Sequence, residues 1–156
     1  MLDIYIDADG CPVKEEVYRV ARRYGFAVVV VSNSRMRVPD DDRFELVVVK
    51  EGFDAADDWI VEHIQADDIV ISADIPLASR CLEKGARAID SKGREFTGDS
   101  IGDALATREL MSYLREMGTV TGGPAPFEAR DRSRFLARLD EVIQRVLKRN
   151  RGGTHK

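Results

Sequence analysis

Acidic residues follow several apolar segments of this sequence at the points where those segments end. The acids that stand at an expected strand end or helix start are Asp7, Asp9, Asp54, Asp57 and Asp74. Crowded carboxylates repel one another, and a hard divalent cation such as Mg²⁺ or Mn²⁺, which prefers oxygen ligands, relieves that repulsion. A cation held in this way can activate water for attack on phosphate. The acids therefore indicate metal-assisted hydrolysis of a phosphodiester.

Some of these acids also have a purely structural explanation. Asp54, with Asp57 three residues later, fits a capping-box-like pattern, and Asp74, two residues before Pro76, fits a helix N-cap. Asp7 is different, because it ends a strand expected near the centre of a sheet, where an unpartnered charge is costly to bury. Capping and metal binding are therefore both consistent with the sequence at the other three positions.

The composition excludes several classes of protein. The chain has 156 residues, 44% hydrophobic and 33% charged, which is typical of one globular domain. Its apolar runs are far shorter than the ~20 residues of a membrane span, and its N-terminus lacks the pattern of a signal peptide. We therefore expect a cytoplasmic protein without a membrane partner. Two cysteines and two histidines provide no zinc-ligand set, so any metal ligands must be oxygens.

The charge is unevenly distributed along the chain. The net charge is −4, yet residues 128–156 carry nine Lys and Arg against four Asp and Glu. An acidic body with a basic C-terminal helix can hold a metal at one place and a polyanion at another. A solvated helix face followed by a frayed tail explains the same distribution.

Apolar segments with strand character alternate with amphipathic segments along the chain. The predicted strands are Leu2–Asp7, Phe26–Val31, Leu46–Val49, Asp68–Ala73 and Ala86–Ile89, with two final helices at Ile101–Met117 and Ala129–Arg149. Such alternation predicts βαβ units, hence a mainly parallel sheet with helices on both faces. Ligands of such sheets bind beyond the carboxyl ends of the strands. We expect one α/β domain over residues 1–149 and a loose basic tail over 150–156.

A few further residues are candidates for contacting a phosphate. Asn33 follows the second strand and should lie at the same sheet edge as Asp7. Gly122 and Gly123 lie in a loop that can wrap backbone N–H groups around an anion, although a connection between two helices needs such residues anyway. Arg108 and Arg115 share one helix face. No dinucleotide-binding or P-loop motif occurs.

One part of the sequence resembles haloacid-dehalogenase-like phosphatases. The segment Asp7-Ala8-Asp9-Gly10 is similar to their opening motif, which implies a nucleophile at Asp7 and a general acid at Asp9. Ser32-Asn33 and the segment Gly98–Asp103 are similar to their second motif and their acidic metal motif. The segment before Gly98, however, is polar and lacks the buried strand that the metal motif should follow.

A second resemblance covers nearly the whole chain. The motifs that carry it are Asp7-Ala8-Asp9-Gly10-Cys11-Pro12-Val13, Gly52-Phe53-Asp54-Ala55-Ala56-Asp57, Ser72-Ala73-Asp74-Ile75-Pro76-Leu77-Ala78, Lys84-Gly85-Ala86 and Thr121-Gly122-Gly123-Pro124. In that order they resemble the bacterial YaiI/YqxD family of uncharacterised proteins, whose fold is similar to PIN-like nuclease domains. The resemblance implies a Rossmann-like three-layer PIN-like domain with a mainly parallel sheet and additional C-terminal helices.

The resemblance also implies a function. Asp7, Asp57 and Asp74 would hold Mg²⁺ or Mn²⁺, and Asp9 or Asp54 would orient a water for attack on RNA or other single-stranded nucleic acid. Asn33, Arg108, Gly122 and Gly123 are the candidate substrate contacts, and the basic final helix could steer the strand. Two alternatives stand beside this nuclease: the phosphatase, which predicts a phosphoenzyme, and a non-catalytic domain that binds nucleic acid or a protein without metal.

Overall fold

A computed structural model describes residues 2–50, 52, 54–119 and 126–153. Strands and helices alternate through the first two thirds of the chain, and two longer helices close it. The elements are β1 (Asp3–Asp7), α1 (Lys14–Tyr24), β2 (Ala27–Ser32), β3 (Phe44–Val48), α2 (Ala55–His63), β4 (Ile69–Ile71), α3 (Ile75–Glu83), β5 (Arg87–Ile89), β6 (Glu95–Phe96), α4 (Ile101–Glu116) and α5 (Ala129–Gly153).

The strands form one sheet in the order β3-β2-β1-β4-β5-β6. All neighbours pair in parallel except β5 and β6, which are antiparallel. The chain builds outward from β1 to β3 and then returns to place β4 on the other side of β1. The crevice that such a reversal leaves lies beyond the carboxyl ends of β1 and β4, where ligands bind in open α/β sheets.

Two apolar cores cover the two faces of the sheet. Alternate residues of β1 point to opposite faces, so Ile4 and Ile6 join one core while Tyr5 joins the other. The first core contains buried side chains of α1 and α5, and the second contains those of α2, α3 and α4. The predicted three-layer α/β fold is therefore confirmed. Among the described helices, none has both the length and the apolarity needed to cross a membrane.

Helix α1 shows how the local pattern produces these layers. Val13, Val17, Val20 and Ala21 recur at helical spacing, and all of them are buried against the sheet. The helix ends at Gly25, whose left-handed φ of 78° suits glycine because it has no Cβ. Both features match the helix and the glycine stop that the sequence predicts.

The structure adds a strand that the sequence analysis does not predict. The short β6 pairs with β5 through a tight turn in which the Asp90 carboxylate accepts hydrogen bonds from the backbone N–H groups of Lys92 and Arg94, both at 2.9 Å. The prediction ended the sheet at β5 because the segment 92–97 is polar. At the other end of the chain, α5 continues to Gly153, beyond the predicted helix end at Arg149.

Gly93 in this turn lies directly against helix α5. Its φ is +87°, and a Cβ added there would stand 2.8 Å from the carbonyl carbon and oxygen of Arg134. The Gly93 carbonyl also accepts a hydrogen bond from Arg138 Nε at 3.2 Å. Only glycine therefore permits this approach between the β5–β6 turn and the final helix.

We expect Gly93→Ala to destabilise the fold by about 2–4 kcal/mol, the sum of a left-handed backbone penalty and a backbone clash. Urea unfolding monitored by circular dichroism measures this difference. Gly98→Ala is the matched control, because an added Cβ there meets no atom within 4 Å. Equal stability of the two variants would show that the contact between Gly93 and α5 does not constrain the fold.

Candidate functional site

A pocket of about 280 Å³ opens beyond the carboxyl ends of β1 and β2, beside the N-termini of α2 and α3. The five acids selected as strand-end or helix-start candidates line it, and so does the predicted phosphate contact directly after β2. These residues are Asp7, Asp9, Asn33, Asp54, Asp57 and Asp74. The structure thus brings together residues that are up to 67 positions apart in the chain, and the pocket lies at the edge where the strand order reverses.

Ser72 connects two of these acids, and the sequence analysis did not select it as a site residue. Its buried hydroxyl donates a hydrogen bond to Asp7 Oδ2 at 2.9 Å and accepts one from the backbone N–H of Asp74 at 3.0 Å. Ser72 thereby orients the Asp7 carboxylate relative to the start of α3. A hydroxyl residue between a buried strand and the following acid is the signal that could have identified it.

Helix capping explains one of the acids and fails to explain another. Asp74 is the N-cap of α3, and its Oδ1 accepts a hydrogen bond from the backbone N–H of Leu77 at 3.0 Å. Asp54 occupies the N-cap position of α2 with a left-handed φ of 63°, and its side chain makes no capping hydrogen bond within the described residues. The capping-box interpretation is therefore wrong for Asp54, whose carboxylate faces the pocket instead.

The carboxylates destabilise one another's charged forms. The pKa of Asp57 is raised from its ordinary 3.8 to about 7. Burial is the largest cause, and the negative charges of Asp74, Asp7 and Asp54 add to it. Burial also raises the pKa of Asp7, against the hydrogen bond from Ser72, which lowers it. No Lys or Arg is among the described residues that line the pocket, so its negative charge lacks a neighbouring cation.

The donor set fits a hard divalent cation, since it offers carboxylate oxygens and the Asn33 amide oxygen. In the part of the chain that the structure describes, no group of three or more His, Cys, Asp or Glu side chains is already arranged to hold a metal ion. Burial and the negative charges of Asp74 and Asp7 instead raise the pKa of Asp57, which favours a proton on that carboxyl group. Metal binding would therefore have to displace that proton.

The other predicted site residues do not line this pocket. Arg108 lines a separate groove that begins at Ala73 and Ile75, on either side of Asp74. Asp103, which the phosphatase interpretation needs beside Asp7, lines that groove and not the acidic pocket. Gly122 and Gly123 lie outside the described residues.

The sequence of the chain matches known proteins over almost its full length. Residues 5–145 match the family described as "Uncharacterized BCR, YaiI/YqxD family". The chain therefore belongs to the YaiI/YqxD family. Among its relatives, the UPF0178 protein of Rhodospirillum centenum is 59% identical over 150 residues, or 94% of this chain and 97% of the relative. That of Paramagnetospirillum magneticum is 57% identical over 146 residues, or 94% and 97% of the two chains. No solved structure matches the chain.

The family resemblance predicted from the five motifs is thus confirmed, and the site described above is the acidic pocket of a YaiI/YqxD protein. Three of those motifs supply the acids that line this pocket. Asp7 and Asp9 come from the first motif, Asp54 and Asp57 from the second, and Asp74 from the third. The description of the family names no activity, so the residues of the pocket are the basis for any function.

We expect Asp57→Asn to stabilise the metal-free protein at pH 8. The folded state holds the Asp57 proton up to about pH 7, whereas the unfolded chain releases it near pH 3.8, so the ionised carboxyl lowers stability increasingly as pH rises between these values. Allowing for solvent screening of this half-exposed group, the gain is about 1 kcal/mol. It should vanish at pH 4. Thermal unfolding in the presence of a chelator measures it.

Asp58→Asn is the matched control, because Asp58 is the next residue of α2, is exposed, and pairs with Arg80 at 2.9 Å. Its substitution should leave stability unchanged or slightly lower it at pH 8. Stabilisation by Asp58→Asn equal to that by Asp57→Asn would attribute the effect to net charge and contradict crowding within the pocket.

Proposed function

We propose that this YaiI/YqxD protein is a divalent-metal-dependent nuclease that hydrolyses phosphodiesters of RNA or other single-stranded nucleic acid. The single observation that carries the proposal is the pocket of five carboxylates at the crevice of the sheet, without a basic residue among its described lining. Burial and neighbouring negative charges raise the pKa of Asp57 and of Asp7, which is a cost to folding, and Asp54, one source of that charge, makes no capping hydrogen bond within the described residues. Mg²⁺ or Mn²⁺ would offset that cost.

The residues of the pocket have distinct roles in this proposal. Asp7, Asp57 and Asp74 hold the cation, and Ser72 keeps the Asp7 carboxylate in place. The bound cation supplies an activated water and stabilises the charge on the leaving oxygen. Asp9 or Asp54, both exposed at the rim, orients the attacking water and accepts its proton.

Substrate contacts and the reaction course follow from the same arrangement. The Asn33 amide donates a hydrogen bond to the scissile phosphate. Water attacks the phosphorus directly, so the reaction forms no covalent enzyme intermediate. This course differs from that of the phosphatase, which needs Asp103 beside Asp7, whereas Asp103 lines a different groove. The proposal includes two further predictions from the sequence: the fold is PIN-like, and the protein is cytoplasmic.

Metal binding and hydrolysis test the proposed function together. Calorimetric titration of Mn²⁺ should show binding to the wild type that Asp7→Asn and Asp74→Asn each abolish, because each change removes a charged ligand. Cleavage of a fluorescently labelled 12-nucleotide RNA with Mn²⁺ should fall at least about 100-fold in the same variants. Asp58→Asn and Asp103→Asn, which change acids outside the pocket, should retain both properties.

Four results would contradict the proposal. Absence of Mn²⁺ binding at millimolar concentration would favour the non-catalytic binding domain. Loss of binding in Asp103→Asn with retention in Asp74→Asn would favour the phosphatase, as would a phosphoenzyme trapped on Asp7. Binding of Mn²⁺ without cleavage of RNA or single-stranded DNA would contradict the proposed nuclease activity.

We expect Ser72→Ala to weaken Mn²⁺ binding about 10- to 100-fold, since loss of a group that orients a ligand has an effect of that size. The Asp7 carboxylate would lose its 2.9 Å hydrogen bond while keeping its charge. Ser72→Thr retains the hydroxyl and is the matched variant that should restore binding. Calorimetry measures all three proteins. Equal affinities of the Ala variant and the wild type would show that Ser72 does not position Asp7.

A further inference from the structure

We infer that a groove beside the acidic pocket binds the phosphate backbone of the substrate strand, which makes a polynucleotide a better substrate than a mononucleotide or a small phosphodiester. This inference rests on the proposed nuclease function and extends it to a second surface. The groove, named the arginine groove here, is lined by Arg94, Arg108 and Arg115 together with Asp103, Ala73 and Ile75, and has a volume of about 520 Å³.

The arginine groove adjoins the acidic pocket through three consecutive residues. Ala73 and Ile75 line the groove, and Asp74 between them lines the pocket. A strand whose scissile phosphate lies at Asp74 therefore continues into the groove on one side. Because the acidic pocket repels a polyanion, a neighbouring cationic surface is what allows such a strand to approach.

The arginines of the groove differ from those of helix α5 in their partners. Every arginine of α5 with a described side chain forms an ion pair with a carboxylate; these are Arg130, Arg132, Arg134, Arg138, Arg145 and Arg149. Arg94, Arg108 and Arg115 are exposed, and none forms an ion pair within the described part of the chain. Exposed arginines without an ion pair in the described residues therefore lie beside the acidic pocket, at Arg94 and on α4, whereas the described arginines of the basic final helix are paired.

The groove arginines come from two elements and are spread along the groove. Arg108 and Arg115 are seven residues apart on α4, so their backbone positions differ by about 10 Å along the helix axis and they can contact different phosphates of one strand. Arg94 comes from the β5–β6 turn, and its guanidinium lies over the Phe96 ring at 5.1 Å. A guanidinium group binds phosphate through paired N–H donors. Asp103 is the single acid in the groove and leaves the surface net positive.

Binding of RNA by the full-length protein in EDTA tests the inference, because no metal-dependent cleavage then occurs. Fluorescence anisotropy with a labelled 12-nucleotide oligouridylate should show roughly tenfold weaker binding for Arg108→Gln and for Arg115→Gln. Each change should also reduce the slope of log K against log salt by about 0.7. Arg19→Gln is the matched control, since Arg19 is exposed on α1, across the sheet, without an ion pair in the described residues.

Hydrolysis of bis(p-nitrophenyl) phosphate with Mn²⁺ reports on the acidic pocket separately, because this small diester does not reach the groove. The groove variants should hydrolyse it at the wild-type rate while cleaving the 12-nucleotide RNA more slowly. Equal RNA binding by the wild type and the groove variants, with normal diester hydrolysis, would overturn the inference and leave the nuclease function intact.

Two other outcomes separate the inference from the function on which it rests. RNA binding that depends on the groove, without hydrolysis of either substrate, would support the groove as an RNA-binding surface and contradict the nuclease function. Competition by polyglutamate as effective as competition by unlabelled oligouridylate would overturn the assignment of a nucleic-acid strand, and would identify the groove as a surface for acidic polypeptides.

Discussion

Mutual repulsion among the carboxylates at the crevice between β1 and β4 is the constraint around which this molecule is organised. Asp7 ends the strand at the centre of the parallel sheet, so its charge lies partly buried and close to Asp74. Asp57 approaches the same point from α2, where burial first and the negative charges of Asp74 and Asp7 second raise its pKa to about 7. Such an arrangement persists in a stable domain only if the rest of the fold holds it in place.

The packing on both faces of the sheet supplies that support. Ile4 and Ile6 fix one side of β1 against α1 and α5, while Tyr5 packs in the core that contains α2 and α3. The acids from α2 and α3 are therefore placed by helices whose apolar sides are buried, and they do not depend on loop conformation alone. Ser72 completes the support at the level of single atoms, because its hydroxyl joins the Asp7 carboxylate to the backbone of Asp74.

The sequence predicted the parts of this arrangement that follow from local patterns. The β-branched run of β2 and the glycine stop of α1 are local, and the gathering of acids follows from parallel strands sharing one edge. Strand β6 was not predictable from local patterns, because it has only two residues and their pairing with β5 depends on the turn that Asp90 stabilises. Local patterns also could not predict the ion pairs of α5. Its arginines pair with Glu16, Asp67 and Glu95, which are distant from α5 in the sequence.

Helices α5 and α4 differ in how their packing brings their arginines against carboxylates. Helix α5 buries Phe135, Leu139 and Ile143 along one side, and this packing brings its flanking arginines against carboxylates of the sheet and of α1. Helix α4 buries only Ala104 among its residues, and its arginines, Arg108 and Arg115, are exposed and form no ion pair within the described residues. At about 0.1 M salt a charge acts over roughly 10 Å, so in the proposed nuclease the arginines of the groove would attract a polyanion along α4 before it meets the acids at the crevice.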